Sequence, residues 1–233
     1  MSASPAPSLA GALRTTTVAV LAEIKRRSPS KGAINAVMDA PSQARRYVEG
    51  GAAALSVLTE PLSFGGSNDD LVAVRAAVGV PLLKKDFHVA PVQLVEARAL
   101  GAAAALLIAR ALPPGELAAL AEVARELQLE ILVEVRDERE LDRALEAGAR
   151  IVGVNTRNLE TLEVDAGTAE RLLPRIPAGV VAIHESGVAT RADVERAALS
   201  GADAVLVGSA LSGADDAAAA VRSLTGIARR GRG

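Results

Sequence analysis

The sequence predicts an α/β fold, specifically a closed parallel (β/α)8 TIM barrel. Three observations lead there. Six apolar runs each end in polar or charged residues: Ala22-Glu23-Ile24-Lys25, Leu82-Leu83-Lys84-Lys85-Asp86-Phe87, Leu132-Val133-Glu134, Val152-Gly153-Val154-Asn155, Ile183-His184-Glu185-Ser186-Gly187 and Leu206-Val207-Gly208-Ser209. A buried strand has reason to end in Lys or Glu only where that end opens on something. Ionisable groups at the C-terminal ends of successive buried strands mark the active face of a parallel barrel. A glycine joint also recurs, at Gly51, Gly101, Gly148 and Gly201, each followed by small residues and an apolar run. There a helix ends on a left-handed glycine, and the spacing of roughly 50 residues leaves room for two βα units of about 25. Finally, the strands are apolar almost throughout, as in a parallel sheet covered by helices on both sides.

In chain order, strands are expected at 18–24, 54–58, 81–85, 104–108, 130–134, 151–155, 180–185 and 204–207. Helical patterns separate them. The clearest runs from Pro113 to Leu127, with Pro at its start and Leu117, Leu120, Val123 and Leu127 on one face. Those over 137–147 and 190–199 open on Asp137 and Thr190, both good N-cap residues. A doubly wound open sheet is the alternative. It usually carries a Gly-rich turn after its first strand, where this chain reads Lys25-Arg-Arg-Ser-Pro-Ser-Lys-Gly32. The whole of 1–233 is expected to form one catalytic domain, with a short N-terminal segment (1–16) and a frayed basic tail (225–233). Met1 to Ser8 also reads as a frayed terminus, since it has neither a basic start nor an apolar core for a secretory signal.

Composition narrows the function. A chain of 233 residues can bury a full core. Half of it is hydrophobic, yet no apolar run approaches the roughly 18 residues that would span a bilayer. Cysteine is absent, which excludes disulfides and thiolate chemistry, and two histidines make a His-rich metal site a poor expectation. Net charge is −2 with dispersed basic residues, so neither nucleic acid nor a membrane is an expected partner. A cytoplasmic protein, monomeric or weakly self-associating, is expected. Aromatics are scarce: no Trp, one Tyr (Tyr47) and two Phe, Phe64 and Phe87, both outside the apolar runs. Aromatics missing from the core but present in loops suggest ligand contact; covering the barrel rim is the plainer explanation.

Side chains alternate along a strand, so Glu23 and Lys25 face the same way, as do Ile183 and Glu185. The inward set is then Glu23, Lys25, Lys85, Glu134, Asn155 and Glu185. Such dense, partly desolvated charge shifts pKa values, and alternating signs keep each group usable. A lysine here can be a general acid, an electrostatic clamp or a Schiff-base former, and a carboxylate its proton partner. An ion-pair network bracing the barrel is the structural alternative. His184 should point outward as a packed or partly exposed histidine, and His88 has no evident role. Gly187, Gly208 and Ser209 lie after the seventh and eighth strands, where loops commonly bind phosphate beside a short helix. Ser28 could add a hydroxyl.

Taken together, Glu23-Ile-Lys25-Arg-Arg-Ser28-Pro-Ser30-Lys-Gly32, Leu58-Thr-Glu60 with Phe64-Gly-Gly-Ser67, Lys84-Lys85-Asp86-Phe87, Leu132-Val-Glu134-Val, Gly153-Val-Asn155-Thr-Arg157-Asn-Leu159, Glu185-Ser186-Gly187 and Val207-Gly208-Ser209 resemble the indole-3-glycerol phosphate synthase family. The likeness runs from about Val18 to about Leu211. It implies a decarboxylating ring closure of 1-(2-carboxyphenylamino)-1-deoxyribulose 5-phosphate in tryptophan biosynthesis, with no metal or organic cofactor. By the same resemblance Lys85 is the general acid on the substrate ketone. Glu134 is the acid–base partner for dehydration, with Lys25 as proton donor. Glu23, Asn155 and Glu185 position these groups and bind sugar hydroxyls. Ser28, Phe64, Phe87, Leu107, Arg157 and Ser186 bind the substrate, and Lys25, Ser28, Gly187, Gly208 and Ser209 its phosphate. The family usually carries a longer N-terminal extension whose helices cover the barrel mouth. Pro7 to Arg14 is expected to keep the inner part of it. Another phosphate-binding barrel, such as a phosphoribosyl-anthranilate isomerase relative or a Schiff-base synthase, is a rival reading, as is a barrel that only binds or scaffolds.

Overall fold

A computed structural model describes residues 7–113, 115–158 and 161–232. Met1 to Ala6, Pro114 and Leu159 thus lie outside the described residues, and with them most of the expected frayed start. Eight parallel strands close a barrel: β1 (Ala19–Ile24), β2 (Ala54–Leu58), β3 (Leu82–Lys85), β4 (Ala104–Ile108), β5 (Glu130–Val135), β6 (Ile151–Asn155), β7 (Val181–Glu185) and β8 (Ala204–Val207). Each falls within one residue of its expected span at either end. The four joint glycines take positive φ: 98° at Gly51, 88° at Gly101, 77° at Gly148 and 90° at Gly201.

Alternation sorts the side chains into two cores. Outward residues such as Val20, Leu55, Leu82, Leu107 and Val152 pack under the helices. Inward residues such as Leu21, Leu83, Leu132, Ile151 and Ile183 fill the lumen. The clearest predicted helix starts later than expected, at Glu116 (α6, Glu116–Glu126), because Gly115 enters it with φ 87° and takes the N-cap place. The helices Glu138–Glu146 and Arg191–Leu199 are capped as expected: Asp137 accepts from Glu140 N, and Thr190 from Asp193 N.

Both termini depart from expectation. Helix α1 (Leu9–Leu13) does not approach the barrel mouth. Leu9 and Leu13 are fully buried against the inward residues at the opposite end, where they floor the barrel. The Glu130 carboxylate, at the start of β5, anchors the helix by accepting from Leu9 N at 2.5 Å and Ala10 N at 3.2 Å. An anion at a helix N-terminus satisfies amides that have no intrahelical partner.

The tail is not frayed either. Val18 N donates to Ile227 O, and Thr17 bridges to Ala228. Arg229 and Arg232 pair with Asp203 at 2.6 and 2.8 Å, and Arg232 is nearly buried because it also donates to Ile176 O and Val180 O. The basic tail pattern conceals a clamp: a buried guanidinium with carboxylate and carbonyl partners is a stable place for charge.

Candidate active site

Register brings the strand ends to one level. Leu58 pairs with Lys85, Ile108 with Glu134, and Asn155 with Glu185. The polar ends meet in a cavity of about 490 Å³ at the C-terminal end of the barrel. Every predicted site residue lines it except Leu107. Leu107 is fully buried in the outer core. Its neighbours Leu106 and Ile108 line the cavity instead, because a one-residue shift along a strand reverses the face.

Lys85 sits at the centre. Its Nζ lies 3.0 Å from Glu185 Oε2 and 3.4 Å from Glu134 Oε2. Burial works against its charge, but Glu185, Glu134 and Glu23 outweigh that and hold its pKa well above the ordinary lysine value. It therefore enters any reaction protonated. The Glu185 pKa is raised as well, to about 7, by burial and by the charge of Glu134, against the pull of Lys85.

The second pair is Lys25 with Glu23, 2.5 Å apart. Burial raises the Glu23 pKa, but Lys25 and Lys85 more than compensate, so it stays ionised. The Glu23 carbonyl accepts from Ser212 Oγ, which contacts the hydroxyl of Tyr47. Tyr47, the one tyrosine, is thus buried beneath the first strand end, where burial lifts its pKa to about 12.

Asn155 joins three elements. Its amide donates to Glu134 Oε1 at 3.0 Å, while its oxygen accepts from Ser186 Oγ at 2.8 Å and Arg157 N at 2.9 Å. Ser186 has φ 69°, a conformation a non-glycine residue keeps only where its surroundings hold it there. Arg157 borders the cavity with Nη1 tied to Leu162 O. On the opposite wall the rings of Phe64 and Phe87 meet with centroids 6.5 Å apart, tilted by 48°. Phe87 is half exposed. Between Phe64 and the β8 loop, the cavity is bordered by Ser28, Lys25, Gly208 and Ser209, and Gly187 adjoins them from β7. Helix α10 (Ser209–Ser212) begins at this wall.

Several supporting residues were not among the expected site residues. Glu60 accepts from the amides of Leu62, Ser63 and Phe64 and so fixes the Phe64 turn. Asp86 is held by Thr59 and by the outward-facing Lys84, and accepts from Phe87 N. His88 is buried, with Nδ1 2.8 Å from Leu106 O. His184 is half-buried on the outer side of β7, as alternation requires.

Comparison with known proteins gives the arrangement a family. The family model described as indole-3-glycerol phosphate synthase matches residues 2–224. An indole-3-glycerol phosphate synthase of Parafrankia sp. is 54% identical over 204 residues, covering 87% of this chain and 76% of the relative. Indole-3-glycerol phosphate synthase 1 of Streptomyces coelicolor is 52% identical over 222 residues, covering 95% and 82%. Among solved structures, a 3-hexulose-6-phosphate synthase aligns with TM-score 0.67 at 19% identity, covering 89% of this chain and 98% of the other. A thiamine phosphate pyrophosphorylase from Pyrococcus furiosus aligns at 0.66 and 18%, covering 91% and 95%. Those two likenesses speak to the barrel alone. The sequence matches extend over the strand-end residues that build this cavity, and by them the chain belongs to the indole-3-glycerol phosphate synthase family.

Proposed function

We propose that the chain, acting as a single catalytic unit, converts 1-(2-carboxyphenylamino)-1-deoxyribulose 5-phosphate to indole-3-glycerol phosphate, carbon dioxide and water. The observation that carries the residue roles is a lysine held between two carboxylates in the cavity, whose charges favour its protonated form. The ring carbon bearing the carboxylate attacks the ketone, and Lys85 Nζ delivers a proton to the developing alkoxide. A fixed positive charge beside that oxygen stabilises it before and during transfer. Carbon dioxide then leaves, and its electron pair restores the aromatic ring. In the last step Lys25 protonates the departing hydroxyl while Glu134 takes the proton from the adjacent carbon. Two protons enter and one returns, so one is drawn from solvent per turnover, which balances the loss of the substrate carboxylate.

Phe64 and Phe87 suit the phenyl ring, and Arg157 with Ser186 its carboxylate. Lys25, Ser28, Gly187, Gly208 and Ser209 form the wall suited to phosphate. The Schiff-base alternative needs a lysine that loses its proton readily, and the raised pKa of Lys85 counts against it. The test is an absorbance assay for the indole chromophore with purified protein and this substrate at neutral pH. Indole-3-glycerol phosphate and carbon dioxide should appear in equal amounts. Unchanged substrate would overturn the proposal.

A further inference from the structure

We infer that Gly153 is a positioning residue: its place on the inward face of β6 is filled by the Glu185 carboxylate, which reaches Lys85 only because no side chain stands there. Ile151, Gly153 and Asn155 share the inward face of β6 by alternation. The two neighbours carry side chains into the barrel. Gly153 does not, and it is in register with Glu134 on one side and Ile183 on the other.

Glu185 is rooted one layer above, opposite Asn155. Its side chain turns back over Gly153. A Cβ built on Gly153 would collide with Glu185 Oε1 and lie 2.9 Å from its carboxyl carbon. In this folded-back posture Oε2 sits 3.0 Å from Lys85 Nζ, while Oε1 is buried without a hydrogen-bond partner among the described residues. Burying a carboxylate oxygen unpartnered is costly, so the posture persists because the lysine pair and the open place on β6 together favour it.

Backbone conformation gives no competing reason for this glycine. Gly153 lies within a regular strand and is not among the residues of positive φ. The requirement is for space. Gly208 stands in the same relation to the other ion pair. A Cβ there would collide with Glu23 Oε1 and lie 2.8 Å from Lys25 Nζ. The Lys85–Glu185 and Lys25–Glu23 pairs therefore each sit against one glycine.

This inference rests on the proposed activity only for its kinetic arm. Gly153→Ala should lower kcat roughly 10- to 100-fold, as expected for a displaced partner of the proton donor. KM should change by less than about threefold. The decisive arm is thermal stability in four proteins: wild type, Gly153→Ala, Glu185→Ala and the double variant. Gly153→Ala should lower Tm in the wild type but not in the Glu185→Ala background, where the carboxylate it would strike is gone. If Gly153→Ala fails to fold, recovery of folding in the double variant supports the inference. An equal fall of Tm in both backgrounds would overturn it, as would failure of both to fold or wild-type kcat in Gly153→Ala. A wild type that forms no indole product would sink the functional reading while leaving the stability arm intact.

Discussion

A valine at position 208 would strike the Glu23 carboxylate and crowd Lys25. The phosphate wall and an acid–base pair thus share one residue. Gly208→Val should raise KM and also lower kcat, and steady-state kinetics with inorganic phosphate as competitor separates the two effects. Phosphate should compete weakly with substrate in the wild type and less well in the variant; an unchanged KM would place the anion elsewhere. The phenylalanines should divide differently. Phe87 follows Lys85 by two residues and its amide binds Asp86, so Phe87→Ala should reduce both kcat and product affinity. Phe64→Ala should chiefly weaken product binding, since an aromatic contact contributes about 0.5–1.5 kcal/mol beyond its burial. If both variants bind product normally and only melt earlier, the two rings merely cover the rim. Residue types at strand ends were readable because alternation leaves few choices. The wall residue on β4 was not: in the run Ala104-Ala-Leu-Leu-Ile108 every position is apolar, so nothing in the pattern says which leucine faces in. Gly153 was hidden for another reason, since its significance lies in a neighbour's side chain.

At the scale of elements, the eight strands were legible because apolar runs bounded by glycine joints have one economical arrangement. The ends of the chain were not. Pro7 to Arg14 carries no mark in the sequence of which end of the barrel it meets. Its place is decided by Glu130, more than a hundred residues away. Likewise Arg229 and Arg232 look like a solvated tail until Asp203 is seen to bind both. Leu13 is fully buried against the lumen core. Leu13→Ala should therefore cost about 2–5 kcal/mol while leaving KM nearly unchanged, because the floor lies at the far end from the cavity. Chemical denaturation alongside kinetics checks this; a loss of activity without loss of stability would contradict the assignment of α1 to the floor.

Across the molecule, several groups make acid a hazard. His184 is held neutral by burial, with Arg196 adding to the effect of burial and Asp193 opposing it, and its pKa falls to about 4. The unfolded chain protonates the same ring near 6.5. Between those values the unfolded state binds more protons, so stability falls as pH drops from about 6.5 towards 4. Glu23, paired with Lys25, and Asp70, paired with Arg26, act in the same direction, since their lowered pKa values mean that stability is lost as they protonate. His184→Gln should remove part of that dependence, on the order of 2–3 kcal/mol by pH 4, as read from denaturant midpoints across pH. An identical pH dependence in variant and wild type would remove His184 from the account.

The barrel places one protonated lysine between two carboxylates, and the chemistry proposed for the molecule turns on that lysine. The most direct measurement is kcat of Lys85→Ala, with product affinity measured on the same preparation. Loss of a positioned acid costs about 10²–10⁴-fold, and removing its charge from the developing oxyanion costs more. General-acid catalysis by Lys85 requires kcat to fall by at least about a hundredfold with product still bound. A variant that keeps more than about a tenth of wild-type kcat would contradict it, because general-acid catalysis by Lys85 could not then supply the step assigned to it.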